Sequence, residues 1–285
     1  MMFRKETYAH ALARGRRRLR ESPTPDLDAR VLMMLASGYD HAALIAHGND
    51  VVPDDVLDRY AGYLKRRREG EPVAYITRRQ EFYGRDFSVG PGVLIPRPET
   101  EMLIDACQHL HARRILDLGT GSGCLLFSAL LEIPEATGIG IDASGEALLI
   151  AERNRQALRV ADRSELQKMR FSEAPVMLRG QLFDLILSNP PYIPRGTELP
   201  VSVAHHEPQE ALFSGEDGLD AHREVAQVIA NMLAPSGSAF IEIGHDQGES
   251  AEAIYRDALP GRDVGTKQDA AGHPRMVAVR PKGSL

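Results

Sequence analysis

Three glycines at alternate positions form the first segment of the chain that could do chemistry. Asp117–Gly123 reads Asp-Leu-Gly-Thr-Gly-Ser-Gly and follows a short apolar run that predicts a strand. Glycines let the backbone turn tightly and approach a ligand closely, and the free N–H groups of a following helix favour an anionic group such as a carboxylate. Dinucleotide sites have the spacing G-x-G-x-x-G, so the spacing G-x-G-x-G favours S-adenosylmethionine over NAD.

Asp142, at the end of the next predicted strand, lies at the distance from the glycine loop that is expected of an acid binding the same ligand. Asp142 ends the apolar run 138–142, and acids at this position accept hydrogen bonds from ribose hydroxyls. Asp142 could instead cap the following helix, but Ser144 already supplies a cap. The expected cofactor contacts in these two segments are Gly119, Thr120, Gly121, Ser122, Gly123 and Asp142.

A second loop could position an amine or an amide for reaction. Asn189-Pro190-Pro191-Tyr192 directly follows the apolar run 183–187. The Asn189 side-chain oxygen and the Pro190 carbonyl can both accept hydrogen bonds from a planar NH2 group, on which Tyr192 can pack flat. Two such acceptors stabilise the positive charge that develops on a nitrogen as it is alkylated. The alternative is a turn stiffened by proline, and the position directly after a strand favours the catalytic interpretation.

The spacing of apolar residues predicts a wound sheet around these loops. From about residue 113, short apolar strands alternate with glycine-rich turns and helices. The predicted strands are 114–118, 138–142, 166–171, 183–187 and 239–243, and the predicted helices are 124–132, 144–160 and 219–233. This alternation builds a Rossmann-like α/β fold, a parallel sheet with helices on both faces whose ligands bind outside the carboxyl ends of the strands.

The N-terminal part has a different pattern and predicts a separate domain. Helical runs of apolar residues are interrupted by Ser22–Pro25 and end at Gly70, whereas 81–90 alternates aromatic residues and glycines like a hairpin. We predict a small all-helical domain over 1–78, a hairpin linker over 79–95 and the sheet domain over 96–285.

The charge is divided unequally between these parts. The 285 residues have a formal charge of −6, but residues 1–80 carry 15 Lys and Arg against 11 Asp and Glu, and residues 81–285 carry 19 against 29. Bulk electrostatic binding of nucleic acid is therefore not expected of the whole chain. The basic run Lys65–Arg68 either docks an acidic partner or is a solvated helix end.

Two cysteines and the lack of a long apolar run indicate the cellular compartment. Cys107 and Cys124 form no CxxC pair, and no window has the 18 apolar residues that a membrane span needs. We expect a cytoplasmic protein that has neither a structural metal nor a membrane contact.

The chain resembles the release-factor glutamine methyltransferases, the HemK/PrmC family, over nearly its whole length. The resemblance lies in the glycine loop and in the Asn-Pro-Pro-Tyr loop. It extends to three further segments, Gly70–Thr77, Glu81–Gly84 and Leu94–Glu101, and to the pairs Glu207-Pro208 and Ala211-Leu212. It implies a class I methyltransferase sheet that transfers a methyl group from S-adenosylmethionine, leaving S-adenosylhomocysteine. The implied acceptor is the N5 amide nitrogen of the glutamine in the Gly-Gly-Gln motif of class I peptide-chain release factors. The helical domain would help to dock this partner.

The resemblance also implies roles for individual residues. Asn189, Pro190 and Tyr192 would be catalytic, with Pro191, Phe82 and Pro96 as further substrate contacts and Asn189 also touching the cofactor. Glu173 would accept from the adenine amino group. Ala174 stands where the family has a large aromatic residue, and Phe171 is a differently oriented substitute.

Two other functions use the same residues. DNA adenine methyltransferases share the Asn-Pro-Pro-Tyr loop, although a separate target-recognition domain is not evident in this sequence. A non-catalytic module that binds release factors or ribosomes is the second alternative, because Ala174 departs from the family at the adenine site.

Overall fold

The computed structural model describes residues 6–283. The α-helices of this range are α1 (Tyr8–Arg18), α2 (Pro25–Ser37), α3 (His41–Ala46), α4 (Asp54–Arg68), α5 (Val73–Thr77), α6 (Glu101–Asp105), α7 (Cys124–Glu132), α8 (Gly145–Ala157), α9 (Ala174–Met177), α10 (Val201–Ala204), α11 (Asp220–Met232) and α12 (Gly248–Ala258). Short 3-10 turns lie at Pro98–Thr100, Ala161–Arg163, Phe171–Glu173 and Gln209–Ala211.

The strands form a hairpin and one larger sheet. They are β1 (Arg79–Phe82), β2 (Arg85–Ser88), β3 (Arg114–Leu118), β4 (Thr137–Asp142), β5 (Ser164–Lys168), β6 (Phe183–Ser188), β7 (Leu233–Glu242), β8 (Arg262–Gln268) and β9 (Pro274–Pro281). Strands β1 and β2 pair with each other, and the larger sheet has the order β5-β4-β3-β6-β7-β9-β8. Its first five strands are parallel, and β9 is antiparallel to both of its neighbours.

The chain divides into two compact units. The first contains the residues up to Arg78 together with Leu199–His206, and the second contains Arg79–Glu198 and Glu207–Leu285. The first unit thus includes Leu199–His206, a segment predicted to belong to the sheet domain. Residues 79–95, predicted as a linker, belong to the second unit.

The first unit is helical, and the buried Tyr60 ring of α4 packs against α1 and α2. The Tyr60 side chain of α4 is fully buried, and its hydroxyl donates to the carbonyl oxygen of Ala29 in α2 at 3.1 Å. A Cβ at Gly15 would lie 1.9 Å from the Tyr60 hydroxyl oxygen. Only glycine at position 15 therefore leaves room for the ring between α1 and α2.

The basic run at the end of α4 is partly internal to this unit. Arg67 Nε lies 2.7 Å from Asp28 Oδ2, and the two side chains are only 12% and 5% exposed. Ser22 and Thr24 also donate their hydroxyls to Asp28. Arg66 pairs with Glu71. The prediction of one solvated or docking surface is therefore wrong for Arg67, which is buried against Asp28. The Arg66 side chain is still 42% exposed, and Lys65 and Arg68 are also exposed.

Arg67→Ala is expected to destabilise the helical unit by about 3 kcal/mol, because it leaves the buried Asp28 carboxylate without its cationic partner. The matched control is Arg68→Ala, one residue away and exposed, which should change the free energy of unfolding by less than about 0.5 kcal/mol. The chain has no tryptophan, and five of its eight tyrosines precede residue 79, so tyrosine fluorescence during urea unfolding reports mainly on this unit. Equal effects of the two substitutions would show that the ion pair adds nothing to stability.

In the second unit, alternate residues of the central strands enter two separate apolar cores. Leu116, Leu118 and Ile186 pack with residues of α11 and α12, whereas Ile115 and Leu185 pack with residues of α6 and α7. The sheet is therefore covered by helices on both faces, as a parallel sheet requires. The α/β, Rossmann-like prediction is confirmed.

Candidate functional site

Three loops meet because three neighbouring parallel strands end at the same edge of the sheet. In the pairing register, Leu118 at the end of β3 lies opposite Ile141 of β4 and Ser188 of β6. The chain beyond these strands supplies the glycine loop, the segment after Asp142 and the Asn-Pro-Pro-Tyr loop. A cavity of about 660 Å³ opens among them. This volume lies in the usual range of small-molecule sites.

The glycine loop lines this cavity with two of its three glycines. Gly119 and Gly121 have φ angles of +74° and +54°, a region that side chains disfavour, and both belong to the cavity wall with Thr120 and Ser122. Gly123 has a different role, because a Cβ there would lie 2.1 Å from the ring of Phe127. The third glycine is thus required for packing at the start of α7, and the cavity wall does not include it.

Asp142 lies on the cavity wall and braces the glycine loop. Its Oδ2 accepts from the backbone N–H of Gly121 at 2.9 Å, and its Oδ1 accepts from that of Ser144 at 2.8 Å. Burial, the larger effect, and the nearby Glu210 raise the pKa of Asp142, while the two backbone donors lower it. Each oxygen keeps a lone pair for a further donor. Ser144 caps α8, with its hydroxyl accepting from the N–H of Ala147.

A second acid, Asp117, holds the glycine loop by a hydrogen bond from Thr120. Asp117 is fully buried, and its Oδ2 accepts from the Thr120 hydroxyl at 2.6 Å. Burial raises the pKa of Asp117 to about 7. The Asp117–Thr120 hydrogen bond fixes the first turn of the loop, while Thr120 itself reaches the cavity wall.

The Asn-Pro-Pro-Tyr loop contributes Asn189 and Pro191 to the same cavity. Asn189 Nδ2 donates to the hydroxyl oxygen of Thr100 at 3.2 Å. Pro190 is buried, Tyr192 is half-buried, and neither residue is part of the cavity wall. The Tyr192 hydroxyl instead donates to Glu242 at 3.3 Å, and its carbonyl accepts from Gln247 at 2.9 Å. These two hydrogen bonds hold Tyr192 against Glu242 and Gln247, and its packing on a planar substrate group stays a prediction.

Two further predicted contacts lie elsewhere. Glu173 is exposed, and its carboxylate accepts from the backbone N–H of Arg170 at 2.7 Å, so this acid caps its own turn rather than facing the cavity. Phe82 is 1% exposed and packs edge to face with Phe87 in the apolar core. The hairpin thus contributes Phe82 and Phe87 to the apolar core, and Phe82 is not accessible to a substrate.

Phe171 and Pro96 do line the cavity. The Phe171 ring reaches to 3.3 Å from the position that a Cβ would take at Gly119. An aromatic ring thus lies beside the glycine loop, although Ala174 itself is buried in the core. Pro96 belongs to a segment held by Glu207, whose carboxylate accepts from the Ile95 N–H and from Arg97.

Sequence reasoning missed Thr100 and Glu242. Thr100 lies on the cavity wall, and its hydroxyl donates to Glu242 Oε2 at 2.5 Å. Glu242 ends β7 and is 2% exposed. Glu242 could have been found from the sequence, because it is an acid within the apolar run Ala-Phe-Ile-Glu-Ile at 239–243. Buried acids are rare unless they have a specific partner.

Over residues 6–283, no cluster of three His, Cys, Asp or Glu side chains is arranged to hold a metal ion. Within the same range, none of the helices is long and apolar enough to cross a bilayer.

The fold and the loops at its sheet edge define a methyltransferase. Residues 98–211 match the methyltransferase small domain, and residues 10–77 match the PrmC N-terminal domain. The fold is shared with a Thermus thermophilus 16S rRNA N2 G1207 methyltransferase solved with AdoMet and guanosine, with a TM-score of 0.50, 17% identity and coverage of 72% of this chain and 50% of that one. A methyltransferase from Pyrococcus furiosus also has a TM-score of 0.50 at 17% identity, over 71% of this chain and 91% of that one.

The family follows from closer relatives. The release factor glutamine methyltransferase of Bradyrhizobium diazoefficiens is 39% identical over 264 residues, which cover 90% of this chain and 88% of the relative. That of Salmonella typhimurium is 34% identical over 277 residues, with coverage of 96% and 98%. The chain belongs to the release factor glutamine methyltransferase family.

Proposed function

We propose that this protein transfers a methyl group from S-adenosylmethionine to the N5 amide nitrogen of the glutamine in the Gly-Gly-Gln motif of class I peptide-chain release factors. The observation that carries the proposal is that Asn189 and the glycine loop line one cavity in a chain of this family. Cofactor and acceptor amide would thereby meet at a single edge of the sheet.

The residues around the cavity fit the cofactor. Gly119 and Gly121 form a cradle without side chains, which suits the carboxylate of the methionine part. Asp142 has acceptor capacity left for the ribose hydroxyls, and Phe171 offers a ring face for adenine. When bound, S-adenosylmethionine supplies an electrophilic methyl group on a sulfonium. Phe171 would thus supply the aromatic contact for which Ala174 has no side chain, whereas Glu173 does not line the cavity.

Asn189 and Pro190 orient the acceptor amide. The Nδ2 group of Asn189 is held by Thr100, so its Oδ1 is the free end of the side chain and can accept from the NH2 group of glutamine. The Pro190 carbonyl would accept from the second N–H. Both acceptors stabilise the positive charge that develops on the nitrogen, and the nitrogen then releases one proton to solvent. A strong general base is not needed, because an N-alkylated amide cation loses its proton readily.

The test uses tritium-labelled S-adenosylmethionine and three acceptors: a class I release factor, its Gln→Ala variant at the Gly-Gly-Gln motif, and adenine-containing DNA. Label in the wild-type factor alone supports the proposal. Label in DNA would identify an adenine methyltransferase instead. Cofactor binding without transfer to any acceptor would favour a binding module.

A further inference from the structure

The buried carboxylate of Glu242 is connected to the Asn-Pro-Pro-Tyr loop by two sets of hydrogen bonds. Glu242 Oε2 accepts from the Thr100 hydroxyl at 2.5 Å, and Thr100 Oγ1 accepts from Asn189 Nδ2 at 3.2 Å. Glu242 Oε1 accepts from the Tyr192 hydroxyl at 3.3 Å. Both ends of the loop are thus connected to one carboxylate that is 2% exposed and does not line the cavity.

The direction of these hydrogen bonds depends on the charge of Glu242. The Thr100 hydroxyl has a single proton, and while Glu242 is ionised that proton is donated to the carboxylate. Thr100 Oγ1 then only accepts from Asn189, so the NH2 group of Asn189 turns to Thr100 and its Oδ1 faces away. If Glu242 were protonated and donated to Thr100, the hydroxyl proton of Thr100 would turn to Asn189. Asn189 would then present its NH2 group, a donor, to the substrate amide.

We propose that ionised Glu242 is a positioning residue which, through Thr100, keeps the Asn189 side-chain oxygen turned toward the acceptor amide. The inference rests on the proposed function, because it assigns a cause to the orientation that amide methylation requires. Glu242 itself need not touch the cofactor or the substrate. It acts on the rate by setting which atom of Asn189 the substrate meets.

Charged and titratable groups surround Glu242 on several elements. Glu99 and the carboxylate's own burial disfavour its ionised form, whereas Arg275 and the hydroxyls of Thr100 and Tyr192 favour it. Cys124, at the start of α7, is a further titratable group that interacts with it. Burial is the largest effect and raises the pKa of Glu242 to about 7. The positioning would therefore be lost as the pH falls through neutrality, since protonation of a carboxyl with a raised pKa is favoured there.

The experiment measures kcat and KM for the release factor between pH 6 and 9 in the wild type and three variants. Thr100→Val, which keeps the side-chain shape without the hydroxyl, is expected to lower kcat about 30-fold with KM within about threefold. Thr100→Ser restores the hydroxyl and should recover kcat to within about threefold of the wild type. Glu242→Gln should lower kcat about tenfold at pH 8 and remove the acidic limb of the kcat profile near pH 7.

The matched control is Glu252→Gln. Glu252 Oε2 also accepts from a threonine hydroxyl, that of Thr266 at 2.7 Å, but away from the cavity wall. This variant should keep the wild-type kcat and the acidic limb.

Two results would overturn the inference while leaving the proposed function intact: wild-type kcat in Thr100→Val, or an unchanged acidic limb in Glu242→Gln. If Glu242→Gln does not fold, the comparison of Thr100→Val with Thr100→Ser still tests the inference. Equal kcat values for these two variants would exclude a role of the Thr100 hydroxyl in positioning Asn189. Failure of the wild-type protein to methylate any release factor would instead contradict the proposed function.

Discussion

Asn189→Ala is expected to lower kcat for methyl transfer by about 10²–10³-fold while the dissociation constant for S-adenosylmethionine stays within several-fold. The side chain lines the cavity, and its amide nitrogen is already bound to Thr100. Its oxygen is thus assigned to the acceptor amide, whose nitrogen becomes positive only as the methyl group arrives. Single-turnover transfer to a release factor measures the rate, and calorimetry measures cofactor binding.

Asn231→Ala is the matched control for this change. Asn231 is exposed on α11 and donates to the Gln227 carbonyl within its own helix. We expect wild-type transfer from this variant. A large loss of cofactor affinity in Asn189→Ala would show that Asn189 mainly holds the cofactor, which the sequence also allowed.

Asp142→Ala is expected to raise the dissociation constant for S-adenosylmethionine about 100-fold. The substitution removes an acceptor with capacity for the ribose hydroxyls and also frees the Gly121 N–H that shapes the cradle. Hydrogen bonds to a charged group are each worth about 1.5–3 kcal/mol, and 2.7 kcal/mol corresponds to a factor of about 100 in affinity. Calorimetric titration with S-adenosylhomocysteine, which cannot transfer a methyl group, isolates binding from turnover.

The control for Asp142→Ala is Asp162→Ala, an exposed acid in the turn before β5. Its affinity for the same ligand should equal that of the wild type. Unchanged affinity in Asp142→Ala would contradict the assignment of the ribose to this carboxylate. Comparison of the melting temperatures separates a local loss of binding from loss of the fold.

The parts of the site that could be predicted from sequence are those whose chemistry is local. The glycine loop occupies seven consecutive residues between a strand and a helix, and β3 and α7 have the predicted bounds. Asn189 follows β6 directly, so the parallel register alone brings it to the loop. In such segments, turn geometry and strand direction are encoded in a few neighbouring residues.

The errors arise where a side chain has a competing partner. Glu173 has the type expected for an adenine contact, but a backbone N–H three residues away captures its carboxylate. Arg67 belongs to a run of basic residues, but its partner Asp28 is 39 positions away and buried. Spacing along the chain does not reveal the Arg67–Asp28 pair, because it forms only when α2 and α4 pack together.

Long-range pairing also explains the elements that sequence reasoning missed. The predicted strand 166–171 is instead β5 followed by a turn that contains Phe171. Strands β8 and β9 were not predicted, and β8 is a half-exposed edge strand with little apolar alternation. The hydrogen bond from Thr100 to Glu242 spans 142 positions and depends on the pairing of β7 with β6 and β9.

The most direct test of the central claim is tandem mass spectrometry of a class I release factor after incubation with this protein and S-adenosylmethionine. We predict a single added methyl group on the side-chain amide of the glutamine in the Gly-Gly-Gln motif, and none when Asn189→Ala replaces the wild-type protein over the same time. A methyl group on any other residue, or an unmodified factor despite measurable binding of the cofactor, would contradict the account.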